Sequence, residues 1–116
     1  IETGAEPAEA DDAYRSLELG EIQGNETTNT ICDGLRAQVG SVTFPIIKEK
    51  VDGIITITEN EIINSMRMIW ERMKIIVEPS SSITLAAVLK DKEVFTGKKV
   101  GLILSGGNVD LNHLPW

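Results

Sequence analysis

Three groups of residues in this chain of 116 have types and spacings that suit chemistry. The first is Ser105-Gly106-Gly107-Asn108, directly after the almost wholly apolar run Val100–Leu104. Such a run is the pattern of a strand buried on both faces of a parallel sheet. In open α/β sheets the carboxyl ends of strands face the ligand crevice, so Ser105 would present a hydroxyl there. The two glycines would admit positive φ and a close approach of the backbone. An ordinary glycine-rich turn after a core strand accounts for the same residues. The second is Glu78, a carboxylate between Ile75-Ile76-Val77 and an apolar stretch beginning at Pro79. A buried acid is costly unless hydrogen-bonded, so Glu78 is either a site residue or the cap of the next helix. The third is Glu6, Asp11 and Asp12, three carboxylates within seven residues. Hard divalent cations take oxygen ligands, including backbone carbonyls aimed inward at a turn. A solvated acidic first turn of a helix is the other reading.

The elements that must position these groups follow an α/β pattern. Ile1–Gly4 closes a strand before Pro7, which has no donor for continued pairing. Ala8–Gly20 reads as a helix with acidic residues in its first turn and a terminal glycine. A polar loop over 21–30 leads to Thr30–Gly34 and a short helix over Leu35–Val39. A further helix covers Thr43–Val51, with Pro45 in its first turn. Ile54–Thr58 is β-branched and reads as a strand. Thr58 and Glu61 form a capping box that opens the clearest helix. Its apolar face is Ile62, Met66, Ile69, Met73 and Ile76, and Glu78-Pro79 stops it. Ser80–Leu89 is the next helix, with small residues that allow close packing on a sheet. Asp91–Lys99 is a charged connection to Val100. Strands separated by helices in this order make part of an open, mainly parallel sheet.

Composition narrows the function classes. The chain is 41% apolar and 25% charged, within the range of globular domains, and long enough for one modest core. A net charge of −7 argues against a nucleic-acid partner. No apolar run approaches the roughly 20 residues that span a bilayer, so no membrane role is expected. The single cysteine, Cys32, has no basic neighbour to activate it and reads as a packing thiol. A reducing, cytoplasmic setting is expected. Ile1 is not a starting Met, and the chain reads as a portion of a longer polypeptide.

Six stretches together carry a family resemblance. They are Ala5-Glu-Pro with Ala10-Asp-Asp, Thr30-Ile-Cys-Asp-Gly, Phe44-Pro-Ile-Ile, Trp70-Glu-Arg-Met-Lys, Val77-Glu-Pro, and Leu104-Ser-Gly-Gly-Asn-Val-Asp-Leu. In this order they resemble the serine racemase and threo-3-hydroxyaspartate dehydratase group of pyridoxal-phosphate enzymes, which are tryptophan synthase β-like in fold. The final motif also occurs in some threonine dehydratases, which generally lack the acidic loop. The chain looks like the C-terminal portion, residues 1–116, of the group's large cofactor-binding domain.

The resemblance implies roles for particular residues. Ser105 would bond the pyridine nitrogen of pyridoxal phosphate, with Gly106 beside it and Glu78 near the ring edge. Glu6, the carbonyl of Ala10 and Asp12 would hold Mg²⁺, Mn²⁺ or Ca²⁺. Lys74 and Asn108 match positions that bind an activating nucleotide in the mammalian racemases, a property not general in the group. The Schiff-base lysine, the serine acting as second acid/base and the glycine-rich phosphate cradle belong to the family's N-terminal part and are absent here. The partners implied are that N-terminal remainder, a small amino-acid substrate and a second copy in a homodimer. The expected reaction is racemisation, or loss of water to give a keto acid and ammonia. The alternative is a non-catalytic acidic α/β module that binds a divalent cation or a partner protein.

Overall fold

In the computed structural model, which describes residues 1–116, β1 (Thr3–Pro7) and β2 (Gly53–Ile57) pair in parallel. Thr3 lies opposite Gly53 and Pro7 opposite Ile57, so pairing ends where the missing proline N–H would end it. Parallel neighbours need a long crossover. Here it holds α1 (Asp12–Leu19), a 3₁₀ turn at Asp33–Leu35 and α2 (Thr43–Lys50). Helix α1 closes on Gly20, whose φ of 75° is the left-handed conformation that glycine adopts without a Cβ penalty.

After β2 come α3 (Glu59–Met73), α4 (Pro79–Lys90) and the single turn α5 (Lys92–Phe95). The expected capping box is present: Thr58 Oγ1 accepts from Glu61 N at 3.4 Å, and Glu61 Oε2 accepts from Thr58 N at 2.8 Å. Pro79 occupies the first turn of α4. Helix α4 packs against both strands and α3, and its small buried residues Ser81, Ser82, Ala86 and Ala87 permit that approach. Successive strand residues face opposite sides. Ala5 and Ile55 therefore join Ile57 on the face that meets Ile62, Ile83 and Cys32 in the main core cluster. Each fully buried isoleucine in it contributes roughly 2 kcal/mol. The other face of β1 carries Glu6.

Besides β1, which runs on through Ala5 and Glu6 to Pro7 where a strand over Ile1–Gly4 was expected, four sequence expectations are corrected. Val100–Leu104 forms no strand, and Val100, Leu102 and Ile103 remain exposed. The reason is the lack of a neighbour: β1 is paired only to β2, and beyond its free edge lies a groove of about 770 Å³. Gly4 and Ala5 line one part of that groove, Ala87 and Val88 another, and Val100–Ile103 a third. No short helix forms over 35–39. Val39 N donates to Asp12 Oδ2 at 2.6 Å, a contact that holds this backbone outside a helical ladder. Helix α3 stops at Met73, well before Glu78-Pro79, because Lys74 takes a left-handed φ of 58°. Ile62, Met66 and Ile69 are buried as expected, whereas Met73 and Ile76 are exposed. The fourth correction is α5, a helical turn inside the charged connection before Gly97.

Candidate functional site

The Ser105 loop is held by the segment that leaves α3. Glu78 N donates to Gly106 O at 3.1 Å, and Asn108 N donates to Glu78 Oε1 at 3.4 Å. Two readings of Glu78 were open, and its contacts separate them. Its backbone caps α4, with the carbonyl accepting from Ser81 N and Ser82 N at 3.0 Å, but its side chain makes no cap. The half-buried carboxylate turns instead to the 106–108 loop.

Neither glycine adopts positive φ; space demands a glycine at 107, and at 106 a side chain would have to displace Glu78 Oε1. A Cβ on Gly107 would lie 2.7 Å from the carbonyl oxygen of Ile76, and one on Gly106 would run into Glu78 Oε1. The loop thus rests directly on the 76–78 backbone. Ser105, at its start, is exposed and free to donate or accept. On either side of the loop, Leu104 and Val109 pack against a second apolar cluster of Met66, Ile69 and Val77. Asn108 is exposed at the loop, and Lys74 is exposed at the opposite end of the 74–78 segment.

The acidic residues divide. Asp11 pairs with Arg15 at 2.8 Å near the surface. Glu6 and Asp12 turn inward. Glu6 accepts from Ala13 N at 3.1 Å and Tyr14 N at 2.8 Å, the first turn of α1. Asp12, 2% exposed, accepts from Asn25 Nδ2 at 3.0 Å and Val39 N at 2.6 Å. Burial pushes the Glu6 carboxyl up to about 7, against the pull of its backbone donors, and the nearby Asp12 adds to the rise. Ala10 is fully buried beside them. No group of three or more His, Cys, Asp or Glu side chains is arranged to hold a metal. The side-chain donors here number two, and any further ligands would be carbonyls or water.

Cys32 is fully buried in the main core cluster, and burial raises its thiol to about 12. It is a packing residue and not a nucleophile. Its neighbours fix the 30–34 segment: Ile31 N donates to Glu59 Oε2 at 2.8 Å, and Gly34 approaches the Ser80 hydroxyl. No helix is long and apolar enough to cross a membrane. The residue that sequence reasoning passed over is Trp70, named there only within the Trp70-Glu-Arg-Met-Lys stretch. Its Nε1–H donates to Val77 O at 2.9 Å, and its ring meets Trp116 edge-on at 5.3 Å. A half-buried indole seeks a partner for its N–H, and that was the available signal.

The site thus consists of a hydroxyl on a glycine loop after an apolar run, with a carboxylate on α/β scaffolding bonded to that loop. A family model described as pyridoxal-phosphate dependent enzyme matches residues 3–106, and the chain belongs to that family. It is 60% identical to the serine racemase of Dictyostelium discoideum over 95% of its own length. It is 46% identical to the beta-hydroxyaspartate dehydratase of Paracoccus denitrificans over 97%. It spans 35% and 36% of the lengths of those two relatives. The crystal structure of the Dictyostelium serine racemase aligns with a TM-score of 0.87 over 96% of this chain and 36% of that one. The α/β class and the resemblance seen in the sequence are borne out by these matches.

Proposed function

We propose that the chain is the C-terminal portion of the large domain of a pyridoxal-phosphate enzyme that racemises or dehydrates a small hydroxy-amino acid. The observation that carries this is the exposed Ser105 hydroxyl on a loop seated against Glu78 and Ile76. These residues fit the cofactor: a neutral hydroxyl can donate to a pyridine nitrogen, and the glycines leave the loop no bulk of its own. When bound, pyridoxal phosphate acts as an electron sink that acidifies the α-proton of an amino acid. Ser105 orients the ring and, being uncharged, draws no proton onto its nitrogen. Glu78 holds the loop at the ring edge through Asn108 N.

Family membership favours this enzyme reading over the non-catalytic acidic module. The remaining partners belong to the same proposal. The groove between β1 and Val100–Ile103 is apolar and open along an unpaired strand edge, which suits a strand from the rest of the enzyme. A homodimer and a cytoplasmic setting complete it, the latter in keeping with a reduced thiol at Cys32. The test is the complete enzyme supplied with pyridoxal phosphate. A visible absorption band, together with conversion of L-serine or 3-hydroxyaspartate to its enantiomer or keto acid, is expected. Absence of any cofactor band would remove the reading.

The same proposal places Mg²⁺, Mn²⁺ or Ca²⁺ at Glu6, Asp12 and the Ala10 carbonyl. Two inward carboxylates in a buried turn support it, because a cation would relieve their mutual cost. Glu6 is raised from 4.5 to about 7, so the folded state holds its proton longer than the unfolded chain does. The stability from that proton is complete below about 4.5 and is lost as pH rises through about 7. A divalent cation favours the ionised form and opposes the loss. Thermal stabilisation of the complete enzyme by Mg²⁺ is therefore expected to grow between about pH 5 and about pH 8, and to shrink in Asp12→Asn. Should EDTA leave the wild-type midpoint unchanged at the higher pH, the solvated-turn reading stands instead.

A further inference from the structure

We propose that Trp70 is a positioning residue for the Ser105 loop, an inference that rests on the cofactor reading above. Trp70 grips both ends of the sharp turn out of α3. Its carbonyl accepts from Lys74 N at 3.1 Å, and its indole N–H donates to Val77 O at 2.9 Å. Between those contacts Lys74 is held at a φ of 58°, a conformation that a non-glycine residue keeps only when its surroundings impose it. The turn delivers Ile76 and Glu78 to the loop. There Ile76 O bars any side chain at position 107, Glu78 N donates to Gly106 O, and Glu78 Oε1 accepts from Asn108 N.

The apolar contacts run the same way. Trp70, Leu104 and Val109 all pack on the cluster of Met66, Ile69 and Val77, so the loop's two flanks share a support with the indole. Releasing Val77 O would remove the bond that fixes the extended 75–78 backbone and let it shift. Glu78 would then move off the loop, and Ser105 would lose its fixed height. Trp70 makes no hydrogen bond to residues 105–108, and its polar link to Ser105 runs through residues 77 and 78.

The test is Trp70→Phe in the complete enzyme, which keeps an aromatic ring and removes the N–H. Amide hydrogen exchange is read first without cofactor. Exchange at Glu78 and Asn108 is expected to be about fivefold faster, the scale of one lost hydrogen bond, with β1 and β2 amides unchanged. With pyridoxal phosphate bound, Trp70→Phe is expected to shift the cofactor absorption in the same direction as Ser105→Ala, and to add nothing in the double variant. Wild-type exchange at both amides, or additive spectral shifts, would overturn the proposal. The exchange arm contains no cofactor. A Ser105→Ala enzyme with a wild-type spectrum would therefore refute the cofactor reading, while Trp70 would still be judged by exchange. If Trp70→Phe fails to fold, benzothienylalanine at position 70 keeps the indole shape without the N–H and gives the same two readouts.

Discussion

Alanine in place of Ser105 is expected to leave the complete enzyme loaded with pyridoxal phosphate while lowering turnover about a hundredfold. Most of the cofactor's binding would come from contacts outside this chain, so the missing hydrogen bond costs only about 1 kcal/mol in affinity. The rate suffers more, because a ring free to tilt misaligns the α-proton with its base. Aspartate at the same position should act differently. A carboxylate favours the protonated pyridine, strengthens electron withdrawal and changes the ratio of racemised to dehydrated product. Ser105 is exposed and lies outside both core clusters, so neither change should unfold the protein. Turnover, product ratio and thermal midpoint measured together separate these effects. Wild-type kinetics in both variants would reduce Ser105 to a turn residue.

The second large effect is expected at Gly107. An added methyl group there meets backbone, the Ile76 carbonyl oxygen at 2.7 Å, and backbone cannot rotate away. Overpacking of this kind typically costs about 1–3 kcal/mol. The strain would be relieved by lifting the loop, which carries Ser105 with it. Gly107→Ala is thus expected to lower both the thermal midpoint and turnover, the latter again about a hundredfold. Gly106→Ala supplies the comparison. Its methyl group meets Glu78 Oε1, the far end of a side chain that can swing aside at the loss of its bond to Asn108 N. Its effect should be the smaller of the two. A Gly106→Ala enzyme more impaired than Gly107→Ala would show that the loop is not seated on the Ile76 carbonyl.

Much of this was legible because local rules and the fold agree. The Thr58/Glu61 capping box, Gly20 after α1, Pro79 at the start of α4 and the β-branched run of β2 each carry their signal within a few residues. The buried Cys32 was readable from type and neighbourhood, whereas residue types alone left Glu6 and Asp12 open between a solvated turn and a site. What failed depended on distant partners. Val100–Leu104 has strand composition but no neighbouring strand within the chain, and composition cannot reveal that. Helix α3 ends at Lys74, where no glycine announces a left-handed turn; the β-branched Ile75-Ile76-Val77 was the only hint against further helix. The helix expected over 35–39 gave way to a single bond from Val39 to Asp12, 27 residues earlier. Trp70 was hidden for the same reason, since its role lies in the carbonyl that it holds.

The most direct test of the Ser105 assignment is the nitrogen chemical shift of pyridoxal phosphate labelled with ¹⁵N in its ring, bound to the complete enzyme. With Ser105 donating, the shift should be that of an unprotonated, hydrogen-bonded pyridine nitrogen. It should move toward the free pyridine value in Ser105→Ala and toward the protonated value in Ser105→Asp. A nitrogen already protonated in the wild type, or one shift common to all three proteins, would contradict the placement of Ser105 at the ring.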